Sequence, residues 1–344
     1  MAARETALNA LITCRRQSGW SNAVLKQTIA RDKLDPREAA LATRLCYGVV
    51  QNRGRPDFYL RQLLTGSLKK LHPAVRDILH MGLYQIYDMD KIPDSAAVNE
   101  SVTLARKYGA PGSDRLVNAV LRNAVRTKGT LQEPTSYEDR YSHPAELVSL
   151  LKTALPKGTL EGVLKANNEA PKTVIQVNTL KTTAAALLEQ LRREGVEAAP
   201  HGWMPECLVL GSTGSLEKLP SFQQGLFYVQ DPASRLSVRC AGLQKGFRVL
   251  DCCAAPGGKS FAAAMAMEGR GSICSCDIHP HKIQLIENGA ARLGLGILQA
   301  RLQDASEFVP EWEGAMDAVL VDAPCSGLGI IRKMPDIRYR NLNE

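Results

Sequence analysis

Asp251-Cys-Cys-Ala-Ala-Pro-Gly-Gly-Lys-Ser260 reads as a strand running into a glycine turn and then a helix. Phe247 to Ala255 is mostly small and apolar, Pro256-Gly257-Gly258 interrupts the run, and Lys259 to Met267 resumes with helix-compatible residues. Two glycines let a ligand approach the backbone closely, and the unpaired N–H groups of a first helical turn suit an anionic group. Downstream, Asp322-Ala-Pro-Cys-Ser-Gly327 follows another apolar run, Met316 to Val321, and sets a thiol beside a carboxylate. A nucleotide-like cradle near a strand-end cysteine points to an enzyme with covalent chemistry.

Strands and helices alternate around this stretch. Strands are expected at Arg248–Ala255, Ser272–Asp277, Leu298–Leu302 and Ala318–Val321, with helices at Lys259–Met267 and Pro280–Leu293. Such alternation predicts an α/β, Rossmann-like core over 236–344, its sheet mainly parallel with helices on both sides and its ligand at the carboxyl ends of the strands. Residues 145–235 read as a small α+β subdomain. Its helical turns fall at Ala145–Leu155, Thr159–Ala166 and Thr183–Glu194, its strands at Thr173–Asn178, Cys207–Leu210 and Leu226–Val229.

Residues 1–130 read as helices throughout, an all-α bundle. Asp35-Pro-Arg-Glu38 supplies an N-cap, a proline at the first helical position and an acid at the third. After Pro73, the residues Val75, Ile78, Leu79, Leu83 and Ile86 fall on one apolar stripe. Residues 131–144 lack periodicity and read as a linker.

The charge of +8 is uneven: residues 1–145 hold 22 Lys and Arg against 14 Asp and Glu, and the remainder holds 21 of each. The excess suits contact with a polyanion, or equally a solvated helical face. The charged N-terminus lacks the apolar stretch of a signal peptide, and no apolar run is long enough for a membrane helix, which predicts a cytoplasmic protein. Nine cysteines, two of them adjacent, do not resemble a disulfide framework.

Each chemical motif has a plainer alternative. Gly258-Lys259-Ser260 mimics the end of a P-loop, but the first glycine such a loop needs is Cys253 here, which argues against a triphosphatase. Asp277 ends a strand, where an acid accepts from ribose hydroxyls or caps the next helix; Asp304 sits where an acid accepts from an adenine amino group or makes a turn. Cys274, Cys276, His279 and His281 have metal-ligand chemistry, but one residue between strand thiols is poor zinc spacing, so buried strand cysteines and no metal are expected. Cys325 lies in a proline- and glycine-containing loop close to Asp322, with Arg332 and Lys333 near in sequence. A thiol there suits carbon methylation, because pyrimidine C5 is not nucleophilic until sulfur adds at C6.

Asp251-x-Cys-Ala-Ala-Pro-Gly-Gly-Lys259, Asp277, Asp304, and Asp322-Ala-Pro-Cys-Ser-Gly327 with Ile331-Arg-Lys-Met-Pro-Asp-Ile337 closely resemble the S-adenosylmethionine-dependent RNA cytosine-C5 methyltransferases. Val75–Gln85, Ala96–Glu100 and Val117–Arg122 resemble the NusB-like RNA-binding helical domain. Together the two halves are similar to the bacterial enzymes that methylate a cytosine of 16S ribosomal RNA, of the cytosine 967 type. The resemblance implies that Cys253, Ala254, Ala255, Pro256, Gly257, Gly258 and Lys259 contact the methionine and ribose side of S-adenosylmethionine. It assigns the ribose hydroxyls to Asp277, the adenine to Asp304, and a place between cofactor and target base to Asp322. It further implies a monomer acting on 16S ribosomal RNA. In this family the attacking thiol lies in a later Thr-Cys motif, and Cys325 assists breakdown of the covalent adduct. The sequence reaches Glu344 before that motif, so it reads as C-terminally truncated, with cofactor binding weak or lost and no turnover. A non-catalytic RNA-binding, antitermination-like module that keeps the fold is the alternative.

Overall fold

The computed structural model describes residues 2–17, 19–211 and 214–340, which divide into two compact units: residues up to 170 with 326–340, and residues 171–325.

The first unit is helical: α1 (Ala2–Gln17), α2 (Ser21–Arg31), α3 (Pro36–Gln51), α4 (Gly54–Leu63), α5 (Pro73–Asp88), α6 (Asp94–Tyr108) and α7 (Ser113–Arg126). The cap read from sequence forms, Asp35 accepting from the backbone N–H groups of Arg37 at 2.8 Å and Glu38 at 2.9 Å. Helix α5 packs against α1, α3, α4, α6 and α7. Its whole stripe is buried, together with His80, Met81 and Gln85 from beyond the stripe, as a central helix requires. α8 (Tyr137–Tyr141), α9 (Ala145–Ala154) and α10 (Leu160–Ala166) complete the unit.

The stretch read as a linker is therefore partly structural. Tyr141, Ser142 and His143 are buried there. The buried group that organises them is Arg338, whose guanidinium donates to the carbonyls of Gln51 (3.0 Å), Asn167 (2.8 Å) and Ser142 (3.3 Å). Hydrogen bonds from a residue some 200 positions away leave no local periodicity to read.

The second unit carries two sheets. One contains β1 (Thr173–Val177), β2 (Ala198–Pro200), β3 (Cys207–Leu210) and β4 (Phe227–Val229) in the order β2-β3-β1-β4, all antiparallel. α11 (Ala184–Arg193) packs on it, and α12 (Pro220–Gln223) precedes β4. Strand β2 escapes sequence reading because Ala-Ala-Pro carries no strand signal; its proline is tolerable on a sheet edge.

After α13 (Pro232–Cys240) comes the parallel sheet: β5 (Arg248–Asp251), α14 (Gly258–Ala266), β6 (Ser272–Asp277), α15 (Pro280–Leu293), β7 (Leu298–Leu302) and β8 (Ala318–Leu320), in the order β7-β6-β5-β8. Steps from β5 to β6 to β7 run in one direction, and right-handed crossovers place their helices on one face. Phe261 of α14 and Leu293 of α15 accordingly share a core with Val249, Ile273 and Leu320. The expectation of helices on both faces does not hold among the described residues. The other face meets the β7–β8 connection, where Leu250 and Cys276 line a hollow with Phe308 and Trp312, and Val319 is 53% exposed. No described helix is long and apolar enough to cross a membrane.

Candidate functional site

The chain passes from one side of β5 to the other between β7 and β8, so the strand order reverses at the β5–β8 boundary. The crevice at the carboxyl ends there is the usual ligand position of such sheets. Both sequence motifs arrive at it, because β5 and β8 are parallel neighbours (Asp251 opposite Leu320) and each motif follows its strand.

The glycine turn is held from both sides. Cys252 N–H donates to the Leu320 carbonyl at 2.9 Å, and Ala254 N–H to the Cys276 carbonyl at 2.7 Å. The Ala255–Pro256 peptide is cis. Gly257 has φ +108°, and a Cβ there would lie 2.3 Å from the Phe261 ring, so only glycine fits. At Gly258 a Cβ would stand 3.0 Å from Nε2 of Gln230, a flexible neighbour.

Asp251 is fully buried beneath the turn. Its Oδ2 accepts from Ser260 Oγ at 2.7 Å, and Ser275 Oγ donates in turn to Ser260 Oγ at 2.7 Å; among the described residues its buried Oδ1 has no hydrogen-bond partner. Burial pushes the Asp251 carboxyl up to about 6, against the opposing pull of the Ser260 hydroxyl and the Lys259 charge.

Lys259, in the first turn of α14, reaches across to Asp322, with Nζ 2.5 Å from Oδ2. The pair ties the cradle to the loop that carries Cys325. The Cys325 side chain is exposed. Arg332, near it in sequence, faces Glu169 instead at 3.9 Å. Cys253 is half-buried; burial, and then the carboxylates Asp277, Asp251 and Asp322, push its thiol up, which disfavours it as a nucleophile.

Asp277 ends β6, with Oδ1 accepting from the His279 N–H at 3.1 Å and lying 3.4 Å from Lys282 Nζ. Asp304 makes a turn, its Oδ1 accepting from the Ser306 N–H at 2.9 Å and the Ser306 hydroxyl at 2.7 Å; these bonds hold its carboxyl below the usual range. Both acids thus sit at strand ends and also serve local geometry. The Cys274 and Cys276 sulfurs are 3.7 Å apart on one strand face, and among the described residues no group of three or more His, Cys, Asp or Glu is placed to hold a metal ion.

Sequence reasoning found the loops and the strand-end acids. It missed the Ser275–Ser260–Asp251 relay, the Lys259–Asp322 bridge and Gln230, which follows β4 and belongs to no local motif. The only advance signal was Ser260 one residue after Lys259.

Comparison with known proteins gives matches along most of the chain. Residues 1–126 match the NusB family, 143–217 the RsmF/B-like methyltransferase ferredoxin-like domain, and 241–344 the 16S rRNA methyltransferase RsmB/F family. The chain is similar to a probable ribosomal RNA small subunit methyltransferase B of Bacillus subtilis, 36% identical over 98% of this chain and 76% of that one. It is likewise similar to the ribosomal RNA small subunit methyltransferase B of Vibrio cholerae, 33% identical over 90% of this chain and 71% of the other. The crystal structure of PH0851 shares the fold, with a TM-score of 0.76 at 21% identity over 100% of this chain and 78% of that one.

Proposed function

This chain belongs to the ribosomal RNA small subunit methyltransferase B family, and from that membership we propose that it methylates C5 of a specific cytosine in 16S ribosomal RNA with S-adenosylmethionine as donor. One observation carries the reading. The glycine turn and the Asp322–Cys325 loop leave neighbouring parallel strands at the same end, bridged by Lys259 and Asp322.

The residues fit S-adenosylmethionine. Among the described residues, Asp251 Oδ1 is buried without a hydrogen-bond partner, beneath a turn whose two glycines keep the backbone bare. Asp251, Asp277 and Asp304 stand at or just past the ends of three successive strands, acceptors suited to a ligand with an ammonium, a ribose diol and an amino-purine. Cys253 to Lys259 would line the methionine and ribose side, Asp277 would accept from the ribose and Asp304 from the adenine. When bound, the cofactor supplies an electrophilic methyl group.

Asp322 accepts from the cytosine's amino group, or from its ring nitrogen once that nitrogen is protonated, and Lys259 fixes that carboxylate in place. Addition of a thiolate to C6 makes C5 nucleophilic. Once C5 is methylated, a base takes the C5 proton, its bonding pair restores the C5–C6 double bond, and the C6–S bond breaks to release the thiolate. The resemblance puts the adding thiol in a Thr-Cys motif and gives Cys325 a part in the release. The basic helical unit meets RNA through its phosphates.

Isothermal titration with S-adenosylmethionine and with a 16S ribosomal RNA transcript tests the proposal. Binding of both supports it. RNA binding with no heat from S-adenosylmethionine supports a non-catalytic RNA-binding module instead, and binding of neither overturns both readings.

A further inference from the structure

A second concave surface lies wholly within the helical unit. Arg15, Arg53, Lys69, Arg76 and Arg340 line one cavity of about 640 Å³, large enough for a nucleotide. Its acidic residues are engaged. Asp77 pairs with Arg15, and Asp336 accepts from Ser21 Oγ at 2.5 Å. Arg76 pairs with Asp57, which also meets His80 at 2.8 Å. Counting Asp57 with the two lining acids, the five cations remain in excess by two charges.

Those left over are held in an unusual way. The Arg53 guanidinium lies 4.7 Å from the Tyr339 ring centroid, and that of Arg340 lies 3.5 Å from the Trp20 centroid. Neither guanidinium has a hydrogen bond or ion pair among the described residues, nor has the ammonium of Lys69. A ring orients a guanidinium through its face and leaves the N–H fork free, whereas a carboxylate would occupy it. Two ring-oriented forks and a lysine around one cavity make a set of donors arranged for phosphate oxygens.

We propose that this cavity is a phosphate-recognition site for ribosomal RNA, in which Arg53, Lys69 and Arg340, none of them part of the glycine turn or the Asp322–Cys325 loop, grip the phosphodiester backbone. The assignment rests on the reading of this chain as an RNA methyltransferase. It adds a specific anchor to that reading: RNA is held at a built cavity rather than over a diffusely basic surface.

The test uses the 344-residue chain and a fluorescein-labelled 16S ribosomal RNA transcript, with anisotropy followed over a series of KCl concentrations. Arg53→Gln, Lys69→Gln and the double variant are compared with Lys157→Gln, which removes the same charge from an exposed position outside the cavity. Each cavity variant weakens binding about fivefold and lowers the slope of log affinity against log salt by about 1, and Lys157→Gln changes neither. Lys69 sits on an exposed turn, so its variant keeps the test valid where Arg53→Gln fails to fold. If wild type binds and the double variant binds equally with the same slope, the site is overturned. If wild type does not bind RNA, the RNA reading itself falls. Saturable binding of adenosine triphosphate that the double variant abolishes makes the cavity a free-nucleotide site and also overturns the RNA assignment.

Discussion

Nζ of Lys259 lies 2.5 Å from Oδ2 of Asp322, so the first turn of α14 and the loop after β8 share an ion pair across the switch point of the sheet. Asp322 is more than half exposed, and the pair contributes little to stability. Its role is positional. Lys259→Met leaves the thermal midpoint within about 2 °C of wild type but weakens S-adenosylmethionine binding about tenfold or more. Calorimetric titration checks this, and unchanged affinity would remove Lys259 from the site.

The two glycines of the turn behave differently when given a Cβ. At Gly257 the positive φ and the Phe261 ring together make alanine cost about 2 to 4 kcal/mol. At Gly258, inside α14, the nearest atoms an alanine meets belong to the flexible Gln230 side chain, and better helix propensity offsets the crowding to within about 1 kcal/mol. Denaturant titration of the two variants distinguishes them; equal losses would refute the close approach at Gly257.

Two buried groups give the units opposite responses to acid. Asp251 has a folded-state pKa of about 6, raised by burial, so its contribution to stability is complete below about pH 4 and is lost as pH rises through 6. His143 is pushed down to about 4, by burial and then by the Arg338 charge. Its contribution is present above about pH 6.5 and is lost as pH falls through 4. Each effect reaches about 3 kcal/mol. Single-tryptophan variants keeping Trp20 or Trp312, one reporter in each unit, are melted between pH 4 and 7. Acid lowers the Trp20 transition relative to the Trp312 transition. In Asp251→Asn the pH dependence of the Trp312 transition shrinks, and a slope equal to wild type would contradict the assignment.

Arg338 donates to carbonyls of residues 51, 141, 142 and 167, and burial lowers its pKa to about 10. Arg338→Met leaves these carbonyls without their donor and destabilises the helical unit by about 3 kcal/mol or more. Arg338→Lys recovers only a small part, since one ammonium cannot reproduce the planar fork. Chemical denaturation followed at Trp20 measures both, and full rescue by lysine would disprove the multidentate role.

Cysteine reactivity provides an independent map. Cys240 and Cys325 are exposed, Cys252, Cys253 and Cys274 are half-buried, and Cys14, Cys46, Cys207 and Cys276 are buried. Timed alkylation with peptide mass mapping should modify the exposed pair first and the buried four only on unfolding. S-adenosylmethionine should slow Cys253 and leave Cys240 unchanged. Equal slowing of both would place the cofactor elsewhere.

Local chemistry in the sequence determined a good deal. The β6, α15 and β7 spans match their expected limits because a strand alternation, a proline start and a glycine stop are all local signals. The strand-to-helix passage at Pro256-Gly257-Gly258 was legible for the same reason. Only the tertiary structure decided that β8 lies against β5 rather than β7, and with it the meeting of Lys259 and Asp322 and the one-sided placement of α14 and α15. It alone decided that Arg338 would order residues written 200 positions earlier, and that Arg53 would rest on Tyr339. Periodicity and capping act over a few residues and are written in the chain beside the structure they produce. Strand order and the burial of a charge depend on which distant groups satisfy one another, and no short stretch of sequence carries that information.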